Sequence, residues 1–113
     1  MALTKRKSVR GSKTGRPIMV LLDLIGRRWT LRIIWELRDG ALTSRALRER
    51  CDDISPSVLQ ARVNELREAG FVGLETPGGY VLTPLGEELR EHTGGLYQFA
   101  EKWAKIVKSG ESR

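Results

Sequence analysis

The chain has 113 residues, of which 40% are hydrophobic, with a formal net charge of +6, one Cys and one His. That length allows one small domain with a single core of modest stability. A lone Cys forbids an internal disulfide and fits a reducing cytoplasm; one Cys and one His far apart leave no metal-ligand cluster, and no apolar run reads as a signal peptide or a membrane span.

Residues 1–16 carry Lys5, Arg6, Lys7, Arg10, Lys13 and Arg16 and no acid. This stretch also holds Ser, Thr and Gly and almost no large apolar side chain. It cannot bury enough surface to offset its ordering entropy, so it is predicted to be a disordered tail. Basic arms of this kind often bind nucleic acid; a plain solubilising extension fits the composition equally well. Residues 17–113 hold 14 basic and 14 acidic side chains, so the part expected to fold is formally neutral.

Pro17 opens a predicted short helix through Ile18, Leu21, Leu22 and Ile25 that stops at Gly26. A second helix is predicted from Trp29 to Asp39, ended by Gly40. Trp29, Ile33, Ile34 and Leu37 form one apolar stripe on it, and Leu31 and Trp35 a second. A helix apolar on more than one side belongs in the middle of a domain. Leu42 reads as a minimal strand. Thr43 or Ser44 then caps a third helix containing Ala46, Leu47 and Cys51, and Asp52-Asp53 forms a tight turn.

The next helix is the most informative. Ser55 is an N-cap, Pro56 sits at the first helical position, and Ile54 and Leu59 occupy hydrophobic-staple positions. Gly70 provides the left-handed stop. Leu59, Val63 and Leu66 recur at helical spacing and face a core. The other side carries Ser57, Gln60, Ala61 and Asn64, with no Lys or Glu. Amides hydrogen-bond to base edges and Ala can touch a thymine methyl, so this face suits close approach to DNA; an ordinary surface helix would fit it too.

Phe71 to Glu75 and Tyr80 to Leu82 are β-rich runs joined by turn residues, which predicts a hairpin. Thr83-Pro84 repeats the cap-plus-proline device. A long helix is expected from there to about Lys108, with Leu85, Leu89, Leu96, Phe99, Trp103 and Val107 as its apolar stripe and a bend at Gly94-Gly95. The expected fold class is mainly α with a small β-hairpin, and helix-turn-helix followed by hairpin is a winged helix-turn-helix. The expected organisation is a basic tail at 1–16, one domain at 17–108 and a flexible end at 109–113.

The ordered set of residues in these elements resembles the HxlR-type regulators, bacterial winged-helix transcription factors related to the MarR group. The resemblance rests on LIGRRWTLRIIWEL at 24–37, Leu47-Arg48, Ile54-Ser55, Leu59 to Arg62, Glu65-Leu66, Gly70 to Val72 and YVLTPLG at 80–86. It covers roughly residues 17–105. It implies a homodimer built from the first and last helices that binds operator DNA; many members respond to electrophiles or oxidants. Three departures stand out. Arg16 occupies the place where redox-sensing members carry a Cys before the first helix, and Cys51 stands where a core leucine is usual, so Cys51 is expected to be a small buried apolar residue. The wing is short and lacks Arg and Lys at its tip. Pro56 and Ser57 replace longer polar or basic residues.

From the residues and the resemblance together, base-edge or near-base contacts are assigned to Ser57, Gln60, Ala61 and Asn64. Arg62 matches a family position that is commonly Arg and is expected to contact a phosphate or brace the helix. Arg45, Arg48 and Arg28 are candidate phosphate contacts, and Ser44 and Ser55 lie at helix N-termini, which attract phosphate oxygens. Each of these arginines also reads as a solvated surface charge. The tail cations are expected to track the phosphate backbone. Ile18, Leu21, Leu22 and Ile25, with Leu96, Phe99 and Trp103, are assigned to a dimer seam. The expected partners are double-stranded DNA and a second copy of the chain, with no membrane and no cofactor; a small-molecule effector is left open. His92 and Tyr97 carry no clear role. The competing reading is a winged-helix protein-interaction module without specific DNA binding. No nucleophile–base pair, carboxylate pair or phosphate loop appears, so no enzymatic activity is expected.

Overall fold

The computed structural model describes residues 15–75 and 78–110. The elements run α1 (Pro17–Ile25), α2 (Thr30–Glu36), α3 (Ser44–Arg50), α4 (Pro56–Glu68), β1 (Val72–Glu75), β2 (Gly79–Leu82), α5 (Pro84–Thr93) and α6 (Gly95–Ser109). The tail residues Lys5, Arg6, Lys7, Arg10 and Lys13, the wing residues Thr76 and Pro77, and residues 111–113 lie outside the described residues.

Short polar side chains start three of the helices. Thr43 Oγ1 accepts from the Ala46 N–H at 3.1 Å, Ser55 Oγ from Val58 at 3.2 Å and Thr83 Oγ1 from Gly86 at 3.0 Å. Each satisfies an amide that the first turn would otherwise leave unpaired. Thr43, and not Ser44, is the cap of α3.

The core gathers around α2. Ile33, Ile34 and Leu37 meet Leu47 and Cys51 of the α3 region, Leu59, Val63 and Leu66 of α4, and Ile54, Phe71, Val72, Leu82 and Leu89. β1 and β2 pair antiparallel with Val72 opposite Leu82 and Leu74 opposite Tyr80. Leu42 adds a one-residue bridge to Tyr80, with reciprocal bonds of 3.0 and 2.7 Å. α5 crosses close behind the hairpin: a Cβ at Gly86 would collide with the Phe71 carbonyl oxygen. Only glycine permits that approach.

Two helices differ from expectation. α2 is shorter than 29–39 at both ends: Trp29, at φ 81, stands outside the right-handed helix as its N-cap, and after Glu36 the chain tightens into three-residue turns, with Arg38 N–H donating to Trp35 O at 3.1 Å and Gly40 N–H to Leu37 O at 3.3 Å. The expected single long helix is two helices, α5 and α6, broken at Gly94. Thr93 Oγ1 donates back to the Leu89 carbonyl at 2.9 Å, and Tyr97 N–H reaches only to Gly94 O at 3.2 Å, a tighter turn than the α-helix makes. Paired glycines without side chains do not resist that change.

Candidate nucleic-acid interface

The turn between α3 and α4 is built from local bonds. Asp52 and Asp53 both take left-handed backbone angles, φ 55 and 58. Asp53 N–H donates to Arg48 O at 3.0 Å, and Arg48 Nε donates to Ile54 O at 2.7 Å. Arg32 reaches across from α2: its NH2 donates to Arg50 O at 2.7 Å, its NH1 to Asp52 Oδ2 at 3.3 Å and its Nε to Glu36 Oε2 at 2.8 Å. The hydrogen bond to Glu36 leads in raising the Arg32 pKa, and partial burial opposes it. One guanidinium thus fixes the turn to the helix behind it.

That turn presents α4. Leu59, Val63 and Leu66 point into the core, while Ser57, Gln60 and Asn64 are exposed and Ala61 is half-buried. Gln60 Nε2 donates to Asn64 Oδ1 at 2.9 Å. The bond leaves the Gln60 carbonyl oxygen as an acceptor and the Asn64 amide group as a donor, the complement that base edges require. Ser55 is exposed, and its hydroxyl oxygen accepts the cap bond.

The arginines divide into two groups. Arg45 is 90% exposed, with Glu49 no closer than 3.9 Å. Arg28 is exposed, its guanidinium 5.6 Å from the centre of the Trp29 ring, and Arg16 is exposed at the start of α1. Ser44 is exposed in the first turn of α3. By contrast, Arg48 holds the turn, and Arg62 lies at 3.2 Å from Glu65 Oε1 with its side chain 22% exposed. Both therefore have bracing work inside the protein. Glu65 also accepts from Arg27 NH1 at 2.7 Å, and Arg27 NH2 donates to Asp23 at 3.0 Å. Partial burial disfavours the charge on Arg27, yet its two carboxylate partners outweigh it and hold its pKa above the ordinary value.

Three contributors escaped the sequence reading. Arg32 and Arg27 were visible only as members of i,i+4 pairs with Glu36 and Asp23. Arg67 is exposed beside Asn64, Glu68, Val72 and Gly73, where α4 and β1 border an open groove of about 600 Å³. The described part of the hairpin holds no Arg or Lys; it exposes Leu74 and Glu75 instead.

The helices assigned to a dimer seam are unevenly covered. Leu21 and Ile25 pack against the protein's own core, whereas Ile18 and Leu22 remain about half exposed. α6 buries no residue: Leu96, Phe99, Trp103 and Val107 are each 50–60% exposed. Tyr97 ties it to α2, stacking on Trp35 at 4.4 Å and donating its hydroxyl to Leu31 O at 3.0 Å. Burial pushes the Tyr97 pKa up.

Cys51 is fully buried, and burial raises its thiol pKa to about 11. Among the described residues, no group of three or more His, Cys, Asp or Glu could hold a metal ion. No described helix is long and apolar enough to cross a membrane.

A family model described as HxlR-like helix-turn-helix matches residues 24–108. The chain is 24% identical over 116 residues to the uncharacterized HTH-type transcriptional regulator YybR of Bacillus subtilis, covering 97% of this chain and 93% of that one. Among solved structures, it resembles a possible HxlR family transcriptional factor of Thermoplasma volcanium (26% identity, TM-score 0.73, covering 79% of this chain and 85% of that one). It also resembles quinone-bound YodB of B. subtilis (27% identity, TM-score 0.63, covering 78% of this chain and 94% of that one).

Proposed function

The chain belongs to the HxlR-like helix-turn-helix family of transcriptional regulators, and from that premise we propose that it binds a roughly palindromic operator as a homodimer, with α4 in the major groove. The observation that carries this reading is the outward face of α4. Ser57, Gln60 and Asn64 stand exposed there, with the Gln60 carbonyl oxygen and the Asn64 amide group left for base edges. Arg45, Arg28 and Arg16 supply exposed cations for phosphates, and Arg67 joins them beside the wing. The action proposed is binding without catalysis.

The tail completes the electrostatics. The rest of the chain is formally neutral, so Lys5, Arg6, Lys7, Arg10, Lys13 and Arg16 provide the long-range attraction. Removing them should reduce the slope of log affinity against log salt by about 0.9 for each phosphate that the tail neutralises. The exposed apolar residues of α1 and α6 are the surface a second copy would cover.

The central test is substitution of Gln60 and Asn64 by alanine in a folded chain. The expected result is lost preference for the selected duplex, with random-duplex binding retained. An unchanged preference contradicts the proposed role of α4. A second reading, a protein-interaction module, is favoured by the neutral folded part and the hairpin without cations; gel shift with random duplex at two salt concentrations separates them. YodB binds a quinone, which raises the effector question for this chain. Its single thiol, Cys51, is buried and protonated at neutral pH, which disfavours covalent capture of such an electrophile.

A further inference from the structure

Four alternating charges run from α1 to α4. Asp23 lies on α1 with its side chain 8% exposed and accepts from Arg27 NH2 at 3.0 Å. Arg27, in the turn after α1, directs its NH1 to Glu65 Oε2 at 2.7 Å. The other oxygen of that carboxylate, Oε1, meets Arg62 Nε at 3.2 Å, and both of those atoms are sealed from solvent. Their alignment makes an ion pair and not a hydrogen bond.

The two oxygens of Glu65 therefore serve different tasks. One ties α4 to the turn after α1 and, through Arg27, to α1 itself. The other occupies a cation that shares the helix with Gln60 and Asn64. A partly buried ion network of this kind adds little net stability. What it does supply is geometry, because each bond restricts the angle of the helix that carries it. It also removes a competing interaction: an unbound arginine on α4 would attract any phosphate, whatever the base sequence.

We propose that Glu65 is a positioning residue, which sets the angle of α4 against α1 through Arg27 and withholds Arg62 from the phosphate backbone. The inference rests on the reading of α4 as the DNA-facing helix. Glu65 acts through the two arginines and touches no base.

Glu65→Gln tests it in the full-length chain, since the amide keeps the size but cannot neutralise two guanidinium groups. Affinity for a selected operator duplex and for random duplex is measured across a salt series. Release of Arg62 steepens the salt slope by about 0.9, the value of one further neutralised phosphate. The operator-to-random ratio falls about tenfold, the scale of coupling within one ion network. Adding Arg62→Gln returns the slope to the wild-type value and leaves the ratio low. Asp23→Asn, which changes no group on α4, lowers the ratio in the same direction. A wild-type slope and ratio in Glu65→Gln would overturn the proposal.

The tie is also read without DNA. Amide hydrogen exchange in α4 speeds up in Asp23→Asn and in Arg27→Gln, while the β1–β2 hairpin keeps its protection. Unchanged protection of α4 in both variants overturns the proposal whatever the DNA result. If α4 loosens but the wild-type chain prefers no duplex sequence, the positioning role stands and the DNA-facing reading of α4 falls.

Discussion

The α2–α4 head and α6 are built from similar amphipathic patterns yet satisfy them in opposite ways. The head closes on itself, with Ile33, Ile34, Leu37, Leu47, Leu59, Val63 and Leu66 all nearly or fully inaccessible. α6 repeats apolar residues at helical spacing and buries none of them. Periodicity reveals that a face needs cover but not which molecule provides it. In the head the cover is intramolecular. On α6 the described residues leave Leu96, Phe99, Trp103 and Val107 open, and a second copy is the cover we propose.

The largest effect separating the two regions is expected in the head. Leu66→Ala removes a fully buried side chain from α4. It should cost about 2–5 kcal/mol of unfolding free energy in urea, from the lost apolar burial and the cavity left behind. A cost near zero would mean the core is not closed as described.

Trp103→Asp attacks the other region. Trp103 is 59% exposed within one chain, so the fold should survive with its helical circular dichroism intact. Association should weaken by about 2 kcal/mol or more, as for an aromatic anchor at an interface centre. Sedimentation over a concentration series reads it directly; a wild-type profile would remove α6 from the seam.

Tyr97→Phe probes the joint between the regions. It deletes the hydroxyl that donates to Leu31 O but keeps the ring on Trp35. A loss of about 1 kcal/mol is expected, with faster hydrogen exchange confined to α6.

The last effect is confined to alkaline pH and lies inside the head. Cys51 moves from an ordinary 9.0 to about 11 on folding, mainly by burial. A raised pKa means that the folded state holds the proton more tightly than the unfolded chain does. The stabilisation is complete below pH 9.0 and is lost as pH climbs towards about 11. Urea midpoints for wild type and Cys51→Ala should therefore converge across that window; parallel curves would contradict a protonated buried thiol.

What could be read in the sequence was local. The cap at Ser55, the proline after it, the staple of Ile54 and Leu59 and the stop at Gly70 each depend on neighbours a few residues apart. So does the hairpin. The start of α2 was legible to within one residue, though nothing in a tryptophan announces the left-handed φ of 81 at Trp29; its end was not, because the turns over 37–39 carry no proline or glycine before Gly40. The glycine pair at 94–95 signals a bend, but the hydroxyl of Thr93 helps to make it a boundary between two helices. The candidate surface divides the same way. The exposed face of α4 was legible from spacing. The engagement of Arg62 and Arg48 within the protein was not, because their partners are set by how α1, α4 and the turn meet.

The most direct measurement is selection of bound duplexes from a random pool by the full-length chain. Enrichment of an inverted repeat is expected, with half-site centres about one helical turn, roughly 34 Å, apart. A pool that emerges without any enriched sequence would contradict it.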